Sequence, residues 1–142
     1  MIDMQALEAE YNDLQMHFEY VNRPLDQTLQ QARFMPEAEL GSDGVYRGCC
    51  AGWSREMQIR AKRITPDATI LLVATEVCPH GQEYDHAVLA VWEDQNTIAA
   101  IYDLRMTTPV SPADLVKRGY GNSAWIENSG VGDSWGYGQF TA

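Results

Sequence analysis

At 142 residues and 45% hydrophobic content, the chain is long enough to bury one core, and residues 1–142 read as a single domain. Twenty acidic against ten basic residues give a formal net charge of -10. That balance argues against a nucleic-acid backbone or an anionic membrane surface as partner and fits a basic, polar or peptide one.

The first residues, Met1 to Glu8, lack a cationic start followed by an apolar run, so no secretory signal is expected. Leu7, Tyr11, Leu14, Phe18 and Val21 recur at spacings of four and three, which predicts an amphipathic helix over residues 3–21. Arg23-Pro24 interrupts the pattern, and Leu25, Leu29 and Ala32 predict a shorter helix before Pro36. Gly41-Ser42-Asp43-Gly44 is a loop by its turn chemistry.

From Cys50, the residues Trp53, Met57, Ala61 and Ile64 keep helical spacing, with Arg55, Glu56, Arg60, Lys62 and Arg63 on the other faces. Cys50 therefore starts a helix on its inward stripe, and Pro66-Asp67 ends it. Thr69 to Val77 predicts a strand, followed by a loop carrying Cys78 and His80. His86 to Trp92 and Thr97 to Leu104 predict an antiparallel hairpin turned at Glu93 to Asn96. These apolar runs are far shorter than the roughly 20 residues of a membrane helix. Ser111-Pro112-Ala113-Asp114 is a helix start with a serine cap and a proline at the first helical position. The tail from Tyr120, rich in glycine and aromatic residues, predicts short edge strands or an ordered loop.

Three residues carry the chemistry. Cys50 sits where a helix start supplies unpaired N–H groups and partial positive charge, both of which favour a thiolate and could bind an oxyanion. In an antiparallel hairpin the start of one strand lies opposite the end of the next, so His86 and Asp103 meet at one end. An imidazole backed by a carboxylate is a general base for a thiol nucleophile. Cys49 competes with Cys50, but the phase of Trp53 and Met57 selects Cys50, leaving Cys49 as a structural or redox neighbour. Asp85 falls on the opposite side of the strand from His86, and Asp94 and Asn96 lie at the far end of the hairpin. Tyr46, Phe34, Gln30 and Gln31 are candidates to line a cleft. The three cysteines, two of them adjacent, do not form a disulfide framework, which fits a reducing cytoplasm. Cys78 and His80 could join Cys49 and Cys50 around zinc only if two neighbouring thiols pointed at one metal, so no metal or cofactor is expected.

Gly48-Cys49-Cys50-Ala51-Gly52-Trp53, His86-Ala87-Val88-Leu89 and Ile101-Tyr102-Asp103-Leu104, with Phe34-Met35-Pro36-Glu37 upstream, together resemble the bacterial transglutaminase-like cysteine proteinases, a papain-like group that includes LapG-type proteases. The resemblance spans residues 20–126. It implies an α+β fold, papain-like or transglutaminase-like, with the cysteine helix packed on an antiparallel sheet, and it assigns Cys50 as nucleophile, His86 as base and Asp103 as orienting acid. The adhesin-clipping members carry acids on both sides of the cysteine that in some help bind calcium. This chain has Cys49 and Ala51 there, so calcium is not expected. The reading is a bacterial or phage thiol-dependent amide hydrolase or peptidase acting on a protein or peptide through a thioester. The alternatives are a transglutaminase or deamidase using the same triad, a cell-wall amidase of the NlpC type, and a catalytically silent papain-like binding module.

Overall fold

The computed structural model describes residues 2–21, 38–77, 86–94, 97–117, 120–128 and 133–139. Leu7, Tyr11 and Leu14 are the buried stripe of the first helix, α1 (Met4–Met16), whose first turn is capped by the Asp3 side chain accepting from the Ala6 N–H at 3.1 Å. The helix ends five residues before the sequence pattern does. Its C-cap is His17, and Phe18–Tyr20 instead forms strand β1, paired parallel to β3 (Tyr46–Gly48). The pairing supplies partners that a helix continued into Arg23-Pro24 would lack: the Tyr46 N–H donates to His17 O at 2.8 Å, and the Val21 N–H to Gly48 O at 3.0 Å. The short strand β2 (Glu39–Leu40) adds antiparallel to β3 across the expected turn, where Gly44 has φ +80°. The shorter helix expected before Pro36, with Gln30, Gln31 and Phe34, and the loop with Cys78, His80 and Asp85 lie outside the described residues.

Helix α2 (Cys50–Ile64) buries Trp53, Met57 and Ala61 on the expected stripe and stops at Thr65, directly before Pro66. It packs on an antiparallel sheet of order β6-β5-β4-β7-β8, formed by β4 (Thr69–Val77), β5 (His86–Trp92), β6 (Ile98–Tyr102), β7 (Tyr120–Asn128) and β8 (Asp133–Gln139). Two polar ties fix α2 on the sheet: Ser54 Oγ donates to Ala87 O at 3.2 Å and Gln58 Nε2 to Ile70 O at 3.0 Å. Strand β6 is shorter than the expected 97–104, so Asp103 follows the strand rather than closing it. The tail departs more from expectation. Strand β7 does not lie at an edge but pairs with β4 inside the sheet, and β8 takes the edge opposite β6. Glycines interrupt the apolar periodicity from Gly119 on, so the sequence shows a pairing partner for β4 only weakly. Helix α3 (Pro112–Lys117) starts as expected, with the Ser111 hydroxyl and the Asp114 carboxylate bonded reciprocally to each other's backbone N–H.

The chain is thus α+β, with β5 buried on both faces. Ala87, Leu89 and Val91 join the core under α2 and α1, whereas Val88 and Ala90 join Ile101, Met106, Val110 and Leu115 on the other side. Burial on both faces explains why β5 reads as one continuous apolar run rather than an alternation. Helix α1 is fastened to α2 by Arg60, which meets Asp13 at 2.7 Å, Glu56 at 3.2 Å and Glu10 at 3.3 Å and lies over the Tyr46 ring at 5.4 Å.

Tyr102 packs beside Tyr11, its hydroxyl fully buried with no hydrogen-bond partner among the described residues. Burial first, then the nearby Glu8 and Tyr11, pushes its phenol up to about 12. An orphaned hydroxyl carries its desolvation cost without return. Tyr102→Phe is therefore expected to raise unfolding stability by about 1 kcal/mol, read from denaturant midpoints at unchanged slope. A loss of stability would show that the hydroxyl has a partner.

Candidate active site

The sequence of β5 and β6 dictates the first contact of the site. With Leu89 opposite Tyr102 in the antiparallel register, the start of β5 and the end of β6 share one end of the sheet. There His86 Nε2 lies 2.9 Å from Asp103 Oδ1, with the two side chains 1% and 0% exposed. A carboxylate only accepts, so an ionised Asp103 holds the proton on Nε2, and exchange with a thiol would run through Nδ1. Oδ1 also accepts the Arg105 N–H at 3.0 Å, and the Met106 N–H returns to Asp103 O at 3.0 Å, so the carboxylate is locked into a tight turn.

That turn is held from α1, which sequence reasoning did not connect to the site. The Tyr11 hydroxyl donates to the carbonyls of Asp103, at 3.0 Å, and Met106. Gln15 Nε2 reaches Leu104 O and Met106 O, each at 3.0 Å, and Gln15 Oε1 accepts from Trp53 Nε1 on the cysteine helix at 3.1 Å. One amide thus ties the acid's turn to the helix that bears the thiols. The available signal was Gln15 itself, an amide four residues beyond Tyr11 on the inward side of α1.

Cys49 is the N-cap of α2, with extended backbone, and Cys50 is the first helical residue. Both are free and buried. Their thiols lie against one another, so the two ionisations oppose. The Cys49 thiol is drawn down to about 5, first by the neighbouring Cys50 thiol and then by the Gly52 and Ala51 amides, against burial. The Cys50 thiol is pushed up, first by Cys49 and then by burial, while the Ala87 N–H facing its sulfur works the other way. The pair therefore loses one proton easily and holds the second. Cys50 meets β5 at the residue next to His86.

The structure brings His86 and Asp103 together more tightly than it brings either to the thiols. No hydrogen bond among the described residues joins the imidazole to a sulfur. Strand alternation groups His86 with Val88 and Ala90, opposite the face on which Ala87 meets α2.

Tyr20 borders the thiols, because β1 sets it opposite Gly48, the residue before Cys49. Its phenol is raised by burial, then by the charges of Cys50 and Cys49, and lowered by the Arg105 guanidinium. Tyr46 lies instead under Arg60. A cavity of about 730 Å³ lined by Ile64, Pro66, Trp92, Glu93 and Asp94 lies at the opposite end of the β5–β6 hairpin from His86 and Asp103. Among the described residues, no cluster of three or more His, Cys, Asp or Glu could hold a metal, and no helix is long and apolar enough to cross a membrane. Comparison with family models, with curated proteins and with solved structures finds no match to the chain.

Proposed function

We propose that the chain is a thiol-dependent amide hydrolase or peptidase of papain-like or transglutaminase-like fold, working on a protein or peptide in a reducing cytoplasm. The observation that carries the reading is the buried His86–Asp103 pair at 2.9 Å, one residue along β5 from the amide that faces the Cys50 sulfur. In this reading the Cys50 thiolate attacks the amide carbonyl, and N–H groups at the start of α2 hold the oxyanion. His86, having taken the thiol proton, delivers it to the leaving amine as the C–N bond breaks. Water, deprotonated by the same imidazole, then hydrolyses the thioester and returns the thiol. An amine in place of water would give transamidation with the same residues.

The second reading is a catalytically silent papain-like binding module, favoured by the strand alternation that turns His86 from the α2 face. Iodoacetamide labelling across pH, mapped by mass spectrometry, separates the two. An enzyme is expected to show Cys50 modification below pH 7 that disappears in His86→Ala. Slow modification of all three thiols alike, rising only at alkaline pH, would leave the binding module as the answer.

A further inference from the structure

Gln15 uses both ends of its amide to join two parts of the site that lie far apart in the chain. Its Oε1 accepts from Trp53 Nε1 of α2 at 3.1 Å, and its Nε2 donates to Leu104 O and Met106 O of the Asp103 turn at 3.0 Å each. An indole N–H only donates and a carbonyl only accepts, so one orientation of the amide serves all three partners. Tyr11, one turn earlier on α1, reaches the same two places by different means. Its hydroxyl donates to the carbonyls of Asp103 and Met106, while its ring meets the Trp53 ring edge-on with centroids 5.7 Å apart. A ring contact tolerates sliding, whereas hydrogen bonds fix both distance and angle. Trp53 is fully buried, and its backbone N–H donates to Cys49 O at 3.0 Å as the first bond of the cysteine helix. At the other end of the amide, the turn carries the carboxylate that meets His86 at 2.9 Å. The other polar ties of α2, from Ser54 and Gln58, run to β5 and β4 instead.

We infer that Gln15 is a positioning residue of the thiol site: acting through Trp53 and the Asp103 turn, it holds the cysteine helix and the acid at the spacing that the His86-dependent reaction of Cys50 requires. The inference rests on the thiol-enzyme reading for its effect on reactivity, but the coupling of helix to turn can be tested apart from it. Two substitutions separate the roles of the amide. Gln15→Met keeps an unbranched side chain of similar length and removes donor and acceptor, so Trp53 Nε1 and Leu104 O lose this partner while Met106 O keeps Tyr11. Gln15→Glu keeps the acceptor for Trp53 but replaces the donor by an oxygen that repels both carbonyls when ionised and bonds one of them when protonated.

The first measurement is backbone amide exchange. In Gln15→Met the Trp53 and Met106 N–H groups are expected to exchange roughly tenfold faster, beyond any change at the β5 amides that pair with β4 and β6. Tyr11→Phe loosens the turn and keeps the ring against Trp53, so it should speed Met106 alone. The second measurement is the His86-dependent rate of Cys50 alkylation by iodoacetamide, taken on folded protein as the part lost in His86→Ala. It is expected to fall by roughly tenfold or more in Gln15→Met, because a displacement of about 1 Å costs up to about 100-fold. In Gln15→Glu the rate, taken relative to the unchanged protein at each pH, should rise as pH falls through the titration of the introduced carboxylate. The two facing carbonyls should hold that titration above the ordinary value of about 4.3. A glutamine that only stabilises the fold would lower the denaturation midpoint and leave this relative rate flat with pH. Exchange at Trp53 and Met106 that is unchanged in Gln15→Met, or that quickens only in step with β5, overturns the inference. So does an undiminished His86-dependent rate in that variant. Slow, equal labelling of every thiol in the unchanged protein would instead sink the enzyme reading, while exchange would still decide whether Gln15 couples the helix to the turn.

Discussion

Asp103→Ala is expected to lower the rate of His86-dependent alkylation of Cys50 by about 100-fold or more, whereas Asp103→Asn should lower it by only about tenfold. The asymmetry follows from one atom. Oδ1 alone accepts both the His86 Nε2 proton, at 2.9 Å, and the Arg105 N–H, at 3.0 Å. An asparagine can place its carbonyl oxygen there and keep both donors, so the imidazole retains its tautomer and orientation and loses only the negative charge that stabilises the imidazolium. Alanine removes the charge, the tautomer lock and the acceptor of the Arg105 N–H together, while Met106, Tyr11 and Gln15 still hold the turn through its backbone carbonyls.

Alanine also leaves the buried His86 donor without its Asp103 acceptor, which should cost about 1–3 kcal/mol, and frees the part-buried Arg105 N–H at a smaller cost, so the denaturation midpoint should fall. Asparagine should melt close to the original protein. Rates measured on folded protein below the transition therefore separate orientation from unfolding. If both variants lose the same large factor, charge rather than orientation is the contribution of Asp103. If neither variant loses reactivity, the His86–Asp103 pair is a structural contact and the silent-module reading gains.

The parts of the fold legible in the sequence are those where a single local rule operates. The inward stripe Trp53, Met57 and Ala61, the proline after Thr65, and the serine and acid around Pro112 each act within a few residues, and α2 and α3 begin where these signals place them. The His86–Asp103 contact was legible for a related reason, since a short hairpin converts sequence separation into register. What was hidden depends on partners distant in the chain. Phe18 continues a helical stripe, yet it pairs with Tyr46, and no local pattern around Phe18 announces β3. Strand β7 lies beside β4 across some fifty residues of chain and is broken up by small residues. The role of Gln15 depends on three elements meeting, so sequence shows only an amide out of place. The choice between two adjacent thiols rested on helical phase, a rule about packing that does not address which sulfur gives up its proton first.

That choice is decided by separating the pair. In the intact chain the first proton leaves near pH 5, because the Cys50 thiol and the α2 amides favour a thiolate on Cys49 and that charge in turn holds the proton on Cys50. Thiolate is the reactive form, so the acid limb of labelling at the pair should have its midpoint near that value. Cys49→Ser removes the largest influence pushing Cys50 up, but burial remains and still outweighs the Ala87 and Ala51 amides. The first ionisation then belongs to Cys50 alone and needs a higher pH, so the acid limb is expected to move upward while His86-dependent labelling persists. Cys50→Ser should abolish that His86-dependent reaction, while Cys49 remains open to modification whether or not His86 is present. An acid limb that stays near pH 5 in Cys49→Ser would show that Cys50 is acidic by its own position at the helix start. Loss of the His86-dependent reaction in Cys49→Ser, with its retention in Cys50→Ser, would transfer the nucleophile to Cys49. The N-cap sulfur beside the Ala51 and Gly52 amides would then be the attacking atom, and the helical phase that favours Cys50 would describe packing alone.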